Sequence, residues 1–401
     1  MPNITGQRTI AGSKRTIAVV ASLTRSLTNF RLELLKKMVA EGHDVIAFGP
    51  EDDADTIATL NQLGVEFIRM PMARTSLNPF GDLQTLYFLW REFRRLRPDV
   101  VLPYTMKPII YGCLAARMAR VKHRFALVTG LGHVFSDPHP KGKAKIVRSI
   151  SVMLYRSALV GVQKVFAYND ADQADILNHK LMSDNTPLVM VPGSGVDLEL
   201  YKKSPVVSDP PVFLLIARLL RDKGIVEFVD AARMLKKRHP HARFQLLGPF
   251  DPNPAGISQG DVDAWVGEGA IEYLGETKDV RPYLANCSAY VLPSYYREGI
   301  PRTILEAMAM GRAVITADNP GCRDTVENGR NGYIVQPRQP EDLAGAMEKL
   351  IQDTQLIAQM GEASHVLASE RFDVHAVNRL LLGEMGLLRC SDVEPTGNAT
   401  S

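Results

Sequence analysis

Two carboxylates, Glu298 and Glu306, stand with seven residues between them and enclose Gly299, Ile300 and Pro301. Glycine lets backbone approach a ligand closely. Pro301 suits a first helical turn, where a missing N–H has no partner to lose, and the free N–H groups of such a turn make an anion site. Glu306 then falls about one and a half turns into the helix and still faces its N-terminal end. Carboxylates hold hydroxyls and a helix start holds phosphate, so the pair suits a sugar nucleotide. A second pair, Arg218 and Lys223, directly follows the apolar run 212–216. Two cations at the end of a buried strand can stabilise the charge that develops on a departing diphosphate. Arg221 and Asp222 between them read as a solvated loop.

Such residues need strands to carry them. Apolar, β-branched runs at 15–22, 44–49, 65–71, 99–104, 123–130, 164–169 and 188–192 alternate with amphipathic stretches. One stretch, 29–41, reads as a helix with Phe30, Leu32, Leu35, Met38 and Val39 inward. The Pro- and Ser-rich segment 202–211 reads as a linker, after which strands recur at 212–218, 243–248, 271–275, 289–293, 313–318 and 332–335, with helix from 340 to about 388. Strand–helix alternation implies parallel sheets covered on both faces. The expected class is α/β, with two doubly wound domains at 1–204 and 205–375 and a C-terminal helix and tail at 376–401 able to pack back on the first domain. Ligands of such sheets bind beyond the carboxyl ends of the strands.

Composition narrows the classes further. Of 401 residues, 45% are hydrophobic and 23% charged, which excludes disorder and a disulfide-stapled mini-protein, and a net charge of +3 gives no ground for nucleic acid binding. Cys113, Cys287, Cys322 and Cys390 are widely spaced and read as reduced thiols. No apolar run reaches the length of a membrane span and no signal-peptide core is visible, so the expected location is cytoplasmic. Asp53 with Asp55, and Asp261 with Asp263, read as helix caps rather than metal ligands, and no metal is expected. Gly130 and Gly132 lack the third glycine of a dinucleotide fingerprint, because position 135 is Phe. Arg91, Arg94, Arg95 and Arg97 crowd one helix end. Lys141, Lys143, Lys145 and Arg148 open a helix that carries Ile146, Ile150, Met153, Leu154 and Tyr155; a basic amphipathic helix suits an anionic bilayer surface. Lys107, after the strand 99–104, is a candidate for binding phosphate.

Taken in order, Gly195, Val196, Asp197 and Tyr201, then Arg218, Lys223 and Gly224, then 273–275 with Val280, Glu298 with Glu306, and 332–335 resemble the nucleotide-binding domain of glycosyltransferase family 4, retaining enzymes of GT-B fold. The runs 297–311 and 320–326, with 26–31 and 128–135, are similar to a bacterial subgroup that includes α-1,3-N-acetylgalactosaminyltransferases acting on undecaprenyl-diphosphate-linked sugars. The resemblance implies two Rossmann-like domains facing a cleft. It implies that Glu298 holds hydroxyls of the donor sugar, Glu306 those of the ribose, and Arg218 and Lys223 the diphosphate, with Gly299, Ile300 and Pro301 lining sugar and phosphate. The family histidine that meets the donor sugar corresponds here to Thr129 or His133, and the resemblance implies that Thr129 and Gly130 line the donor. The first strand lacks the family's Gly-rich turn, and Ser26, Asn29 or Arg31 can substitute; Asn29 and Arg31 at the helix entry are also candidates for phosphate or acceptor diphosphate, and Asn29 reads equally well as a helix cap. The implied activity is transfer of a hexose or N-acetylhexosamine from a nucleotide sugar, UDP-GalNAc or UDP-GlcNAc, to an undecaprenyl-diphosphate-linked saccharide. It would run without a metal cofactor, at the inner membrane surface, in cell-surface polysaccharide or glycan synthesis. A GDP-mannose-dependent transferase, a sugar-nucleotide 2-epimerase and a non-catalytic assembly subunit are the alternatives.

Overall fold

Strands made almost wholly of Val, Ile, Leu, Phe and Ala must be covered on both faces, and here they are. A computed structural model of the protein describes residues 13–73, 78–135, 141–207, 209–253, 255–297 and 299–389. Among them, β1 (Thr16–Val20), β2 (Asp44–Gly49), β3 (Glu66–Arg69), β4 (Val100–Pro103), β5 (His123–Val128), β6 (Lys164–Ala167) and β7 (Leu188–Met190) form one parallel sheet in the order 3-2-1-4-5-6-7. A second parallel sheet runs β10 (Glu272–Tyr273), β9 (Arg243–Leu247), β8 (Val212–Ile216), β11 (Ala289–Leu292), β12 (Ala313–Ala317), β13 (Gly332–Val335). Strand order reverses between β1 and β4, and again between β8 and β11. Those are the switch points where a doubly wound sheet opens a crevice.

The first sheet is covered by α1 (Arg25–Ala40), α2 (Ala54–Gln62), α3 (Pro79–Leu96), α4 (Met106–Met118), α5 (Gly142–Ala158) and α6 (Asp170–Asn178). The second is covered by α7 (Ile225–Lys236), α8 (Gln259–Gly267), α9 (Arg281–Ala285), α10 (Arg302–Ala309), α11 (Pro340–Gln352) and α12 (Thr354–Arg371). α1 begins four residues before the expected start at Asn29, and Thr24 rather than Asn29 is its N-cap. Its inner stripe is Leu27, Arg31, Leu34, Leu35 and Met38, while Phe30 is exposed. The polar run Ser26, Thr28 and Asn29 hides the first turn from a hydrophobic-periodicity reading. Asp53 caps α2 through the Thr56 N–H at 3.0 Å, and Ser258 and Asp261 form a capping box on α8.

The chain crosses between the domains twice, and the two crossings pair. Val196 N–H donates to Phe372 O at 2.8 Å and Val374 N–H to Val196 O at 3.0 Å. Gly195, at φ +70°, lies where a Cβ would meet the Val374 backbone at 2.6 Å. Beyond this paired crossing α13 (Val374–Glu384) returns to the first domain, where Val377, Leu381, Leu382 and Met385 join the core built by Leu34, Leu35 and Met38.

Candidate functional site

On the second domain, the ends of β8, β9 and β11 are drawn together by main-chain contacts. Gly224, at φ +76°, starts α7 against the Pro293 carbonyl, where any Cβ would collide. The Asp222 carbonyl accepts from Tyr295 N–H at 3.0 Å, Tyr296 N–H at 2.9 Å and the Ser294 hydroxyl at 3.2 Å. This ties the loop carrying Lys223 to the loop after β11, and the Lys223 ammonium lies 5.0 Å from the Tyr296 ring centre. Arg218 donates to Asp251 at 2.6 Å and keeps a half-exposed side chain. Asp222 acts through its carbonyl, a role that residue type cannot reveal.

Pro301 precedes α10 as its N-cap instead of sitting within the first turn, with φ −66° and ψ 118°. Glu306 is the fifth residue of that helix and is buried. Burial pushes its carboxyl upward, opposed by Arg302, which donates at 2.9 Å, and by a hydrogen bond with Tyr201. Glu298 lies outside the described residues, as does the side chain of His133, whose backbone opens a 3-10 turn, His133–Phe135.

Between the domains lies a cavity of about 230 Å³. Gly299, Ile300 and Pro301 form one wall, and Arg31, Tyr104 and Thr129 belong to the other. A Cβ on Gly299 would stand 2.5 Å from the Thr129 carbonyl oxygen, so the two loops touch through backbone. Gly130 follows at φ +114°. Asn29 does not reach this cavity: it lines a separate gap of about 240 Å³ at the rim, beside the interdomain pair Lys278–Asp55. Lys107 is turned aside, donating to Asp82 at 2.7 Å.

Arg297 holds the domains together. It reaches from the second domain to donate to Phe135 O at 3.0 Å and Ala171 O at 3.1 Å, pairs with Asp175, and lies 3.7 Å from Asp172. Asp172 is fully buried at the start of α6 and accepts from Leu131 N–H at 3.2 Å and Asn169 Nδ2 at 3.0 Å. Burial pushes its carboxyl up to about 6, against those donors and Arg297. A carboxyl raised in the folded state contributes stability that is fully present below its unfolded value and is lost as pH rises through the folded value. Unfolding free energy is therefore expected to fall between about pH 4 and 6, by about 3 kcal/mol from this group. Denaturant titrations at pH 4.5 and 7 check this, since Asp172→Asn should remove that part of the slope; an unchanged slope would contradict it.

Residues 28–193 match the family described as "Glycosyl transferase 4-like domain", and 210–353 that described as "Glycosyl transferases group 1". The chain is 31% identical, over 82% of its length and 88% of the relative's, to the N,N'-diacetylbacillosaminyl-diphospho-undecaprenol alpha-1,3-N-acetylgalactosaminyltransferase of Campylobacter jejuni. It is 22% identical, over 88% of its length and 92% of the relative's, to the capsular polysaccharide biosynthesis glycosyltransferase CapM of Staphylococcus aureus. The fold superposes on Anabaena Alr3699/HepE, solved with UDP and glucose, with a TM-score of 0.72 at 20% identity, covering 94% of this chain and all of that one. The paired sheets, the crevice at their switch points and these matches agree: the chain belongs to glycosyltransferase family 4 and is a glycosyltransferase of GT-B fold.

Proposed function

We propose that the protein transfers an N-acetylhexosamine from UDP-GalNAc or UDP-GlcNAc to a polyprenyl-diphosphate-linked saccharide, with retention at the anomeric carbon. The observation that carries the reading furthest is the single cavity in which Gly299, Ile300 and Pro301 of the second domain face Thr129 and Arg31 of the first. Its acceptor class is supported by the activity named for the Campylobacter jejuni relative. The donor lies on the second domain, with Arg218 and Lys223 on its diphosphate, Glu306 on the ribose and Glu298 on sugar hydroxyls. The bond from sugar C1 to the diphosphate breaks as the bond to the acceptor hydroxyl forms on the same face. The departing diphosphate takes the hydroxyl proton, so no protein nucleophile is needed. The two cations do the charge neutralisation that a metal does elsewhere, and the reaction is proposed to be metal-independent.

The test is a panel of UDP-, GDP- and dTDP-sugars with a membrane lipid extract and EDTA. Release of UDP that requires the lipid fraction and is lost in Glu298→Ala is the expected result. Release of GDP would move the donor to GDP-mannose, and a free 2-epimerised sugar without acceptor would replace the reading with an epimerase.

The acceptor is proposed to be met at a membrane surface. No described helix is long and apolar enough to cross a bilayer. On α5, however, Ile146, Ile150 and Met153 face solvent beside Lys141, Lys143 and Lys145, where a core-facing stripe would be buried. On α3, which α4 joins to α5, Phe80 is 82% exposed and Leu83 and Tyr87 are also exposed. Apolar side chains flanked by lysines are the chemistry of an anionic interface. The double change Phe80→Glu and Ile150→Glu is expected to lower partitioning onto anionic vesicles by at least about tenfold, with turnover of a water-soluble acceptor unchanged. Co-sedimentation at fixed lipid reads this, and equal partitioning of the two proteins would count against the surface.

A further inference from the structure

The structure places in the interdomain cavity a buried cation that has no carboxylate counter-ion among the described residues. Arg31 is 5% exposed. Its guanidinium carbon lies 5.0 Å from the ring centre of Tyr104 and 5.7 Å from that of Tyr168. It donates to the Tyr168 hydroxyl and, at 3.4 Å, to the Phe30 carbonyl, while its Nε–H is buried with no partner. Among the described residues no carboxylate lies within ion-pair distance of it, although the same helix stripe is otherwise Leu27, Leu34, Leu35 and Met38. A buried charge without an ionic partner is costly, and a leucine in this row would avoid that cost.

The surroundings are equally one-sided. The charged residues described around the cavity are Arg31 and Arg302, and Arg302 is already committed to Glu306. Hydroxyls supply the rest: Ser26 with Tyr104 at 2.7 Å, and Ser22 with Thr105 at 2.8 Å. Thr105 is held at φ 68° and ψ 162°, a backbone region that a β-branched residue rarely enters, directly before α4. A planar guanidinium with a free N–H, walled by aromatic rings and hydroxyls, fits an oxyanion with several acceptor oxygens.

We propose that Arg31, positioned by Tyr104 and Tyr168, binds the diphosphate of the acceptor. This rests on the transferase reading above, which puts the donor sugar against Gly299 and Ile300 on the opposite wall. An acceptor with one sugar on its diphosphate carries the inner phosphate a single ring away from the attacking hydroxyl, and the first-domain wall faces that ring. The donor's own diphosphate is assigned to Arg218 and Lys223 at the end of β8, so the anion at Arg31 is a second one.

The experiment compares two acceptors of the same sugar, one on a short prenyl diphosphate and one as an uncharged octyl glycoside. A charged hydrogen-bonded contact is worth about 10- to 100-fold in binding. Arg31→Gln should raise KM for the diphosphate acceptor by about that factor, leaving donor KM and octyl glycoside turnover within about threefold. Equal loss on both acceptors would overturn the proposal, and so would a raised donor KM. Should Arg31→Gln fail to fold, Tyr168→Phe, which removes only the hydroxyl that accepts from Arg31, is expected to show the same selectivity at about three- to tenfold. A binding measurement separates this proposal from the reading beneath it. Methylenediphosphonate titrated calorimetrically into UDP-saturated protein should bind wild type and not Arg31→Gln. No binding to wild type overturns the site even in an active transferase. Arg31-dependent binding by a protein that turns over no nucleotide sugar leaves the site standing and defeats the transferase reading.

Discussion

Replacing Gly299 with alanine is expected to lower kcat by at least about 100-fold while leaving the thermal midpoint nearly unchanged. The added Cβ would stand 2.5 Å from the Thr129 carbonyl oxygen and 3.2 Å from Tyr168 Cδ2. The first of these is backbone and cannot rotate away, so the Gly299 loop must retreat from Thr129 by about 1 Å, a displacement that costs about two orders of magnitude when it carries the reacting groups. Glu298 and Ile300 flank the glycine and move with it. Each domain keeps its own core, since neither sheet depends on this contact. Donor KM, turnover and a melting curve on one preparation check the split. A variant with wild-type turnover would show that the domains need not meet at this point.

Arg297→Ala is expected to produce the second large effect. It removes donors from two carbonyls and the cation beside Asp172 and Asp175. Leaving a buried charge uncompensated costs about 3 to 5 kcal/mol, here felt mainly at the interface between domains. The sign with pH is fixed. Asp172 already titrates at about 6 because burial disfavours its charge, and loss of the cation raises it further. The stability lost as Asp172 ionises is then lost over a wider and higher range. The deficit of Arg297→Ala relative to wild type should therefore be smaller at pH 5 than at pH 8, with a larger radius of gyration in solution scattering at pH 8. A deficit that does not change with pH would remove Asp172 from the account.

Much of the scaffold is legible in the chain because a parallel strand buried on both faces is written as a continuous apolar run, as in 16–20, 212–216 and 313–317. The start of α1 was not, since its first turn is polar and its inner stripe includes an arginine. Nor could the period of α5 tell which medium its apolar residues face: Ile146, Ile150 and Met153 have helical spacing and point to solvent. The motif around Glu298 and Glu306 was visible as residue types at a spacing. Arg297, directly beside it, was not, because its partners are carbonyls and carboxylates more than 120 residues away in the chain. Asp222 escapes notice for the same reason, acting through a carbonyl that every residue possesses. The need for glycine at 299 was readable as a close approach; that the backbone it approaches is Thr129 depends on how the domains meet.

The most direct test of the central claim is the anomeric configuration of the product formed from a UDP-N-acetylhexosamine and a short-chain prenyl-diphosphate monosaccharide, read by the one-bond carbon–proton coupling at C1 of the transferred sugar. An α-linked disaccharide on the intact diphosphate, formed in EDTA, is the predicted result. A β-linked product would contradict same-face departure and attack, and release of UDP with no disaccharide at all would contradict transfer itself.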